Sequence, residues 1–232
     1  KVLKKFLIIE QICSHLLLKE NGQKNLRQNR KNKRFVYLIS PNKIQNEKFY
    51  SKLNQVLSSK KVSFFQLRLK KESFKNKIYI GRKIKKICKK YKVKFIINDD
   101  PIIAKIVNAD GCHLGQKDMN ISRAKKILKN KIIGVTCHNS INLAKKAISN
   151  DASYLAFGAF FSSKTKKTKY KASLKILTLA KKLTNIPIVA IGGIKDSNYK
   201  KLLLNKANFL AISSYIWNNK KLNPKEAIKK LK

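Results

Sequence analysis

From Phe35 onward the chain repeats one unit eight times: a short run rich in β-branched and aromatic residues, then a longer amphipathic segment studded with lysine. Within each unit the apolar period passes from two to about 3.6, the mark of a strand followed by a helix. Strands are predicted at Arg34–Ser40, Val62–Lys70, Lys94–Asp99, Gly111–Gly115, Lys131–Cys137, Tyr154–Phe161, Ile186–Ile194 and Phe209–Ile216. Helices are predicted over about 44–59, 73–90, 101–108, 121–130, 140–150, 173–183, 196–205 and 223–231. Pro41, Pro101 and Pro224 fall where helices would begin, where an N–H has no intrahelical partner to lose.

Eight such units over roughly 200 residues match a closed barrel of minimal size. The alternative is an open doubly wound sheet, in which polar residues gather near one switch point. Here polar residues end at least six of the strands, as they would around one barrel mouth. The expected fold class is therefore α/β, a (β/α)8 TIM barrel with a short N-terminal helical extension.

That extension, residues 1–33, comprises an amphipathic helix over 1–18, with Phe6, Ile9, Cys13 and Leu17 on one side, and a basic linker poor in apolar residues. Its expected role is packing against the barrel domain, residues 34–232, with targeting as the alternative. Phe6–Leu18 is the longest apolar stretch, but Glu10, Gln11, Ser14 and His15 interrupt it, so no membrane partner is expected. The sequence begins at Lys1 and not Met, which leaves the natural start of the protein open.

A formal net charge of +44 first suggests nucleic acid. The positive charge is nearly all lysine spread evenly over predicted helix faces, and only Arg27, Arg30, Arg34, Arg68, Arg82 and Arg123 could read bases or phosphates bidentately. No specific nucleic-acid partner is expected, and weak nonspecific polyanion affinity is the runner-up. Cys13, Cys88, Cys112 and Cys137 show neither CxxC pairing nor metal-ligand spacing, which fits a reducing cytoplasm.

In such a barrel, functional groups sit at the C-terminal ends of strands. Alternation places Gln66, Arg68 and Lys70 on one face, with Phe65, Leu67 and Leu69 on the other. An amide and two cations facing inward suit a bound anion. Asp99 and Asp118 end two neighbouring units of a chain with only 11 acidic residues, and paired carboxylates beside cations suit Mg2+ bridging to a diphosphate. Asp118 could equally cap the helix that follows. Asp100 and Asp110 read as turn residues. Thr136 could donate to a phosphate, and His138 is either functional or a surface residue before a helix. After strand six, Ser162-Ser163-Lys164-Thr165-Lys166 reads as a lid or anion clamp. Gly192-Gly193 allows close backbone approach, and Ser213-Ser214, placed in strand eight, lies where these barrels bind phosphate.

Six motifs, in order at predicted strand ends, resemble the thiamine-phosphate synthase family over about Arg34–Leu231. They are Gln66-x-Arg68-x-Lys70, Asn98-Asp99, His113-x-Gly115-Gln116-x-Asp118, Gly134-x-Thr136-x-His138, Gly158-(x)6-Thr165-Lys166 and Ala190-Ile191-Gly192-Gly193-Ile194. The resemblance implies a Mg2+-dependent transferase that joins a pyrimidine methyl diphosphate to a thiazole phosphate through a dissociative step, releasing pyrophosphate. It implies that Gln66, Arg68, Lys70, Asn98, Thr136 and Lys166 hold the pyrimidine and its diphosphate, with Arg68, Lys70 and Lys166 catalytic. Asp99 and Asp118 would ligate the metal, and Ser163, Thr165, Gly193, Ser213 and Ser214 would hold the thiazole phosphate.

The chain departs from the family pattern at Thr136 (usually Ser), at Ser162-Ser163 (usually Pro-Thr) and at Phe209 (usually Gly), and residues 1–33 have no counterpart in it. The competing readings are a thiazole tautomerase-like barrel, with His138 as acid/base, and a polyanion-binding protein on a barrel scaffold. The partners expected are small phosphorylated molecules, and homo-oligomerisation is left open.

Overall fold

The computed structural model describes residues 34–44, 47–162 and 170–232. The predicted extension, residues 1–33, lies outside them.

Eight parallel strands close in sequence order: β1 (Val36–Ile39), β2 (Val62–Leu67), β3 (Lys94–Asn98), β4 (Gly111–Leu114), β5 (Ile132–His138), β6 (Tyr154–Gly158), β7 (Ile188–Ile191) and β8 (Phe209–Ile212). Closure comes from β8 returning to β1, with Val36 opposite Leu210 and Leu38 opposite Ile212. The fold is the expected (β/α)8 barrel, not an open sheet.

Each strand sends alternate side chains in opposite directions. Leu38, Phe65, Phe95, Val135, Phe157 and Leu210 pack outward under the helices. Tyr37, Phe64, Ile96, Ile132, Tyr154, Val189 and Phe209 fill the barrel interior. That interior is unusually aromatic. Phe64 meets Phe209 edge-on at 5.0 Å and Tyr37 at 5.2 Å. Phe209, where the resemblance implies a glycine, thus fills the barrel against Phe64. Gly134 makes the opposite adjustment: a Cβ there would lie 1.8 Å from Cζ of Tyr154.

Four predicted strands run three or more residues past the observed ends. Val62–Lys70 stops at Leu67 and Tyr154–Phe161 at Gly158, and Ile186–Ile194 stops at Ile191. Phe209–Ile216 stops at Ile212, so Ser213 and Ser214 are not strand residues; Ser214–Trp217 forms one helical turn. An apolar residue continues the pattern in each case, at Leu69, Phe160, Ile194 and Ile216, but the regular ladder stops; that of β7 and β8 ends at Ile191 opposite Ala211. Trp217 fixes the new turn by donating its Nε1–H to the Ile39 carbonyl at 2.6 Å.

The helices lie where the periodicity placed them, from Glu47–Leu57 to Pro224–Lys230, with shorter ends. Ser73, Asp100, Asn120, Ser140 and Asn223 each accept first-turn N–H bonds through their side chains. Asp100 is therefore a helix cap and not merely a turn residue. Asn120 is the cap before Ile121, which leaves Asp118 free of that duty. Asp110 pairs with Lys85 at 2.7 Å and accepts the Phe95 N–H at the far end of the barrel. Every acidic residue among the described ones has a defined partner of this kind.

Gly134→Ala should overpack the interior against a ring with nowhere to move and destabilise the fold by about 2–3 kcal/mol. Calorimetry should then show a melting temperature several degrees lower. An unchanged value would mean that the Tyr154 ring does not need the space.

Candidate active site

The C-terminal strand ends carry three groups of polar side chains. The deepest is a continuous chain across the barrel. Gln66 donates from Nε2 to the Tyr37 hydroxyl at 3.0 Å, and Tyr37 meets the Tyr154 hydroxyl at 2.7 Å. Tyr154 meets Nδ1 of His113 at 2.9 Å, and Nε2 of His113 meets the Thr136 hydroxyl at 2.8 Å. Gln66, Tyr37, Tyr154 and His113 are all buried, whereas Thr136 is half-exposed. Burial pushes the His113 imidazole down to about 4, so it stays neutral near pH 7. Gln116 donates its side-chain N–H to the Thr136 carbonyl and holds the end of β5.

Above this chain stands a mixed cluster of cations and carboxylates. Asp99 follows β3 with φ at 66°, a left-handed conformation that its Asp side chain tolerates better than most. Its backbone N–H donates to the His113 carbonyl at 2.8 Å, which ties the loop to β4. The Lys70 ammonium lies 2.9 Å from its carboxylate. Asp118 Oδ2 accepts the Gly115 N–H at 2.7 Å.

Burial raises the Asp99 carboxyl, but hydrogen bonds from Lys70 and Asp118 and the charge of Arg68 outweigh it, so the net shift is downward. Asp118 moves up, through burial and through the Asp99 carboxyl beside it. One carboxylate is thus stabilised and its neighbour disfavoured as an anion, the pattern of two acids crowded together. Arg68 anchors its backbone N–H on the Ser40 hydroxyl at 2.9 Å and reaches Asn42 with its guanidinium at 3.4 Å. Asn98 ends β3 opposite His113. Lys70, Asn98, Asp99 and Asp118 line an open cleft of about 510 Å³.

The third group lies after β7 and β8. Gly193, at φ 61°, passes so close to the end of β6 that a Cβ would lie 2.4 Å from the Ser162 carbonyl. The Ser213 hydroxyl donates to the Ser40 carbonyl at 3.1 Å, and Ser214 opens the one-turn helix. Ser163, Thr165 and Lys166 lie outside the described residues. His138 stacks on Tyr170 at 4.1 Å, while Ser140 caps the helix that follows.

Of the residues singled out in the sequence, Gln66 and Thr136 are joined through the buried chain, and Lys70, Asp99 and Asp118 form one cluster. Sequence reasoning assigned no part to Tyr37, Tyr154 or Ser40. The signal available was two tyrosines at inward strand positions, whose hydroxyls an apolar interior cannot leave unpaired.

These features define a (β/α)8-barrel enzyme with its site at the strand C-termini and cations, an amide and paired carboxylates around the mouth. The chain matches the thiamine monophosphate synthase family over residues 36–216. It belongs to that family. It is 73% identical to a thiamine-phosphate synthase of Pelagibacter ubique over 207 residues, 89% of this chain and 100% of the relative. Identity to that of Picrophilus torridus is 37%, covering 83% of this chain and 92% of the relative. Among solved structures, the thiamine phosphate pyrophosphorylase of Pyrococcus furiosus superposes with a TM-score of 0.76 at 28% identity, covering 87% of this chain and 95% of that one.

Because the folded chain resists protonating His113, the unfolded chain binds the extra proton between about pH 6.5 and about pH 4. The associated stability is fully present above that window and should fall by up to about 3 kcal/mol as pH drops through it. An NMR titration should leave the His113 ring signals unmoved from pH 8 to pH 5. A midpoint near 6.5 would contradict the burial argument.

Proposed function

We infer that this protein is a thiamine-phosphate synthase, a transferase that couples a pyrimidine methyl diphosphate to a thiazole phosphate with release of pyrophosphate. The observation that carries the reading is the cluster of Lys70, Asp99 and Asp118 at the mouth of a barrel belonging to this family. In the reaction, the C–O bond to the diphosphate breaks and the electron pair leaves with it. The thiazole nitrogen lone pair then forms the new C–N bond to the pyrimidine methyl cation.

No nucleophilic side chain is required. What the chemistry requires is stabilisation of a leaving anion, which Arg68, Lys70 and Lys166 would provide. Gln66, Asn98 and Thr136 would orient the pyrimidine. Ser163, Thr165, Gly193, Ser213 and Ser214 would hold the thiazole phosphate on the far side. Asp99 and Asp118 fit Mg2+: two crowded carboxyls, one of them disfavoured as an anion, are what a hard divalent cation with one or two protein carboxylates would relieve. When bound there, the metal would neutralise charge on the departing diphosphate.

Free buried Cys88, Cys112 and Cys137 fit a reducing cytoplasm. No helix among the described residues is long and apolar enough to cross a membrane. The barrel over residues 34–232 would be the catalytic domain. A tautomerase would not need the Lys70–Asp99–Asp118 cluster.

A coupling assay with both phosphorylated precursors should yield thiamine phosphate and pyrophosphate with Mg2+ and neither in its absence. Asp99→Asn should lower turnover at least 100-fold with a melting temperature close to wild type, since asparagine also tolerates the left-handed backbone and only the charge is removed. Full activity in that variant would sink the assignment of the metal site.

A further inference from the structure

Three buried groups in the site have no part in the mechanism above: Tyr37, Tyr154 and His113. They form the middle of a five-residue chain whose two ends, Gln66 and Thr136, would touch the pyrimidine.

The donors and acceptors along this chain can be counted. A phenol or alcohol has one proton to give, and a neutral imidazole has one N–H and one acceptor nitrogen. Gln66 donates into the Tyr37 oxygen at 3.0 Å. Tyr37 must then pass its own proton to Tyr154, 2.7 Å away. Tyr154 in turn donates to Nδ1 of His113, which leaves the ring proton on Nε2, facing Thr136 at 2.8 Å. With its oxygen accepting from His113, Thr136 is left to donate outward, and it is the one half-exposed member of the chain. With Nε2 of Gln66 toward Tyr37, the reverse direction would make Tyr37 accept from both Gln66 and Tyr154 while its own buried proton found no acceptor in the chain, a costly arrangement. With the amide turned over, the reverse chain would be fully paired, so the tautomer of His113 decides the direction.

We propose that Tyr37, Tyr154 and His113 are positioning residues forming a one-way hydrogen-bond relay. The relay presents the Gln66 carbonyl oxygen as an acceptor and the Thr136 hydroxyl as a donor, and so selects an aminopyrimidine over its deaminated, oxo counterpart. The inference rests on the synthase reading. An aminopyrimidine carries an N–H donor beside an unprotonated ring nitrogen, which complements one acceptor and one donor. In the oxo form the ring nitrogen gains a proton and the exocyclic group becomes an acceptor, so both contacts are inverted. Sites built to hydrogen-bond one pattern reject the mismatched one because their own polar groups are then left unpaired.

The direct test is the tautomer of His113 in the unmodified protein, read from ring nitrogen-15 shifts; with three histidines in the chain the signal is readily assigned. The relay requires Nε2–H with an accepting Nδ1, and a ring protonated on Nδ1 would overturn it. The second measurement compares kcat/KM for the aminopyrimidine diphosphate and its 4-oxo analogue in wild type, Tyr154→Phe and Tyr37→Phe. Each variant keeps the ring that fills the barrel and removes one link. The relay predicts that preference for the amino substrate shrinks at least tenfold in Tyr154→Phe, with a mixed His113 tautomer. Equal loss on both substrates, with the preference unmoved, would reveal a purely structural role and overturn the proposal. If the wild type turns over neither substrate, the synthase reading fails on its own, and the wild-type tautomer still decides whether the relay exists.

Discussion

An apolar barrel interior that admits polar side chains must give each of them a partner, and the hydroxyl of Tyr154 is where this chain meets that demand. It sits between Tyr37 and His113 and joins the β1–β2 side of the barrel to the β4–β5 side. Its ring can be there only because position 134 has no side chain. The aromatic packing of Tyr37, Phe64 and Phe209 supports the same rings from the other side. A single steric permission at Gly134 therefore underlies both the packing of the interior and the polar floor of the site.

Above that floor the design changes from pairing to crowding. Asp99 and Asp118 are brought within reach of one another by two loops, one held through an Asp99 backbone bond to β4 and the other through the Gly115 N–H. Sharing one site favours the Asp99 anion, with help from Lys70 and an Asp118 hydrogen bond, and disfavours that of Asp118. The tension is local and lies where an incoming anion and a cation would both be welcome. Catalytic mouths often concentrate perturbed acids in this way.

Much of this architecture was legible in the sequence because two periods, two and 3.6, alternate without interruption from Phe35 onward. The ends of strands were not. Residues such as Ile194 and Tyr215–Ile216 look like strand, but β7 ends at Ile191 and Tyr215–Ile216 lie in a helical turn. Asp99 and Asp118 stood out because acids are scarce, but the same scarcity could not tell them from Asp100, a helix cap, or Asp110, an ion-pair partner of Lys85. Tyr37 and Tyr154 were invisible for a different reason. A tyrosine in a strand is ordinary core material, and only three-dimensional proximity turns two of them into a wire. Phe209, unexplained as a departure from its family, became intelligible once its contact with Phe64 was seen.

The scarcity of acids has a further consequence for how ligands arrive. Each described carboxylate has a defined ion-pair or hydrogen-bond partner, and with 11 acids against 55 lysines and arginines they can do little to shape the outer field. The excess of lysine therefore surrounds the molecule with a nearly featureless positive potential, fading over about 8 Å at physiological ionic strength. Any small anion is drawn in from every direction, and this field alone cannot sort one from another. Recognition is deferred to the last few ångströms, inside the mouth, where charge gives way to the arrangement of individual protons.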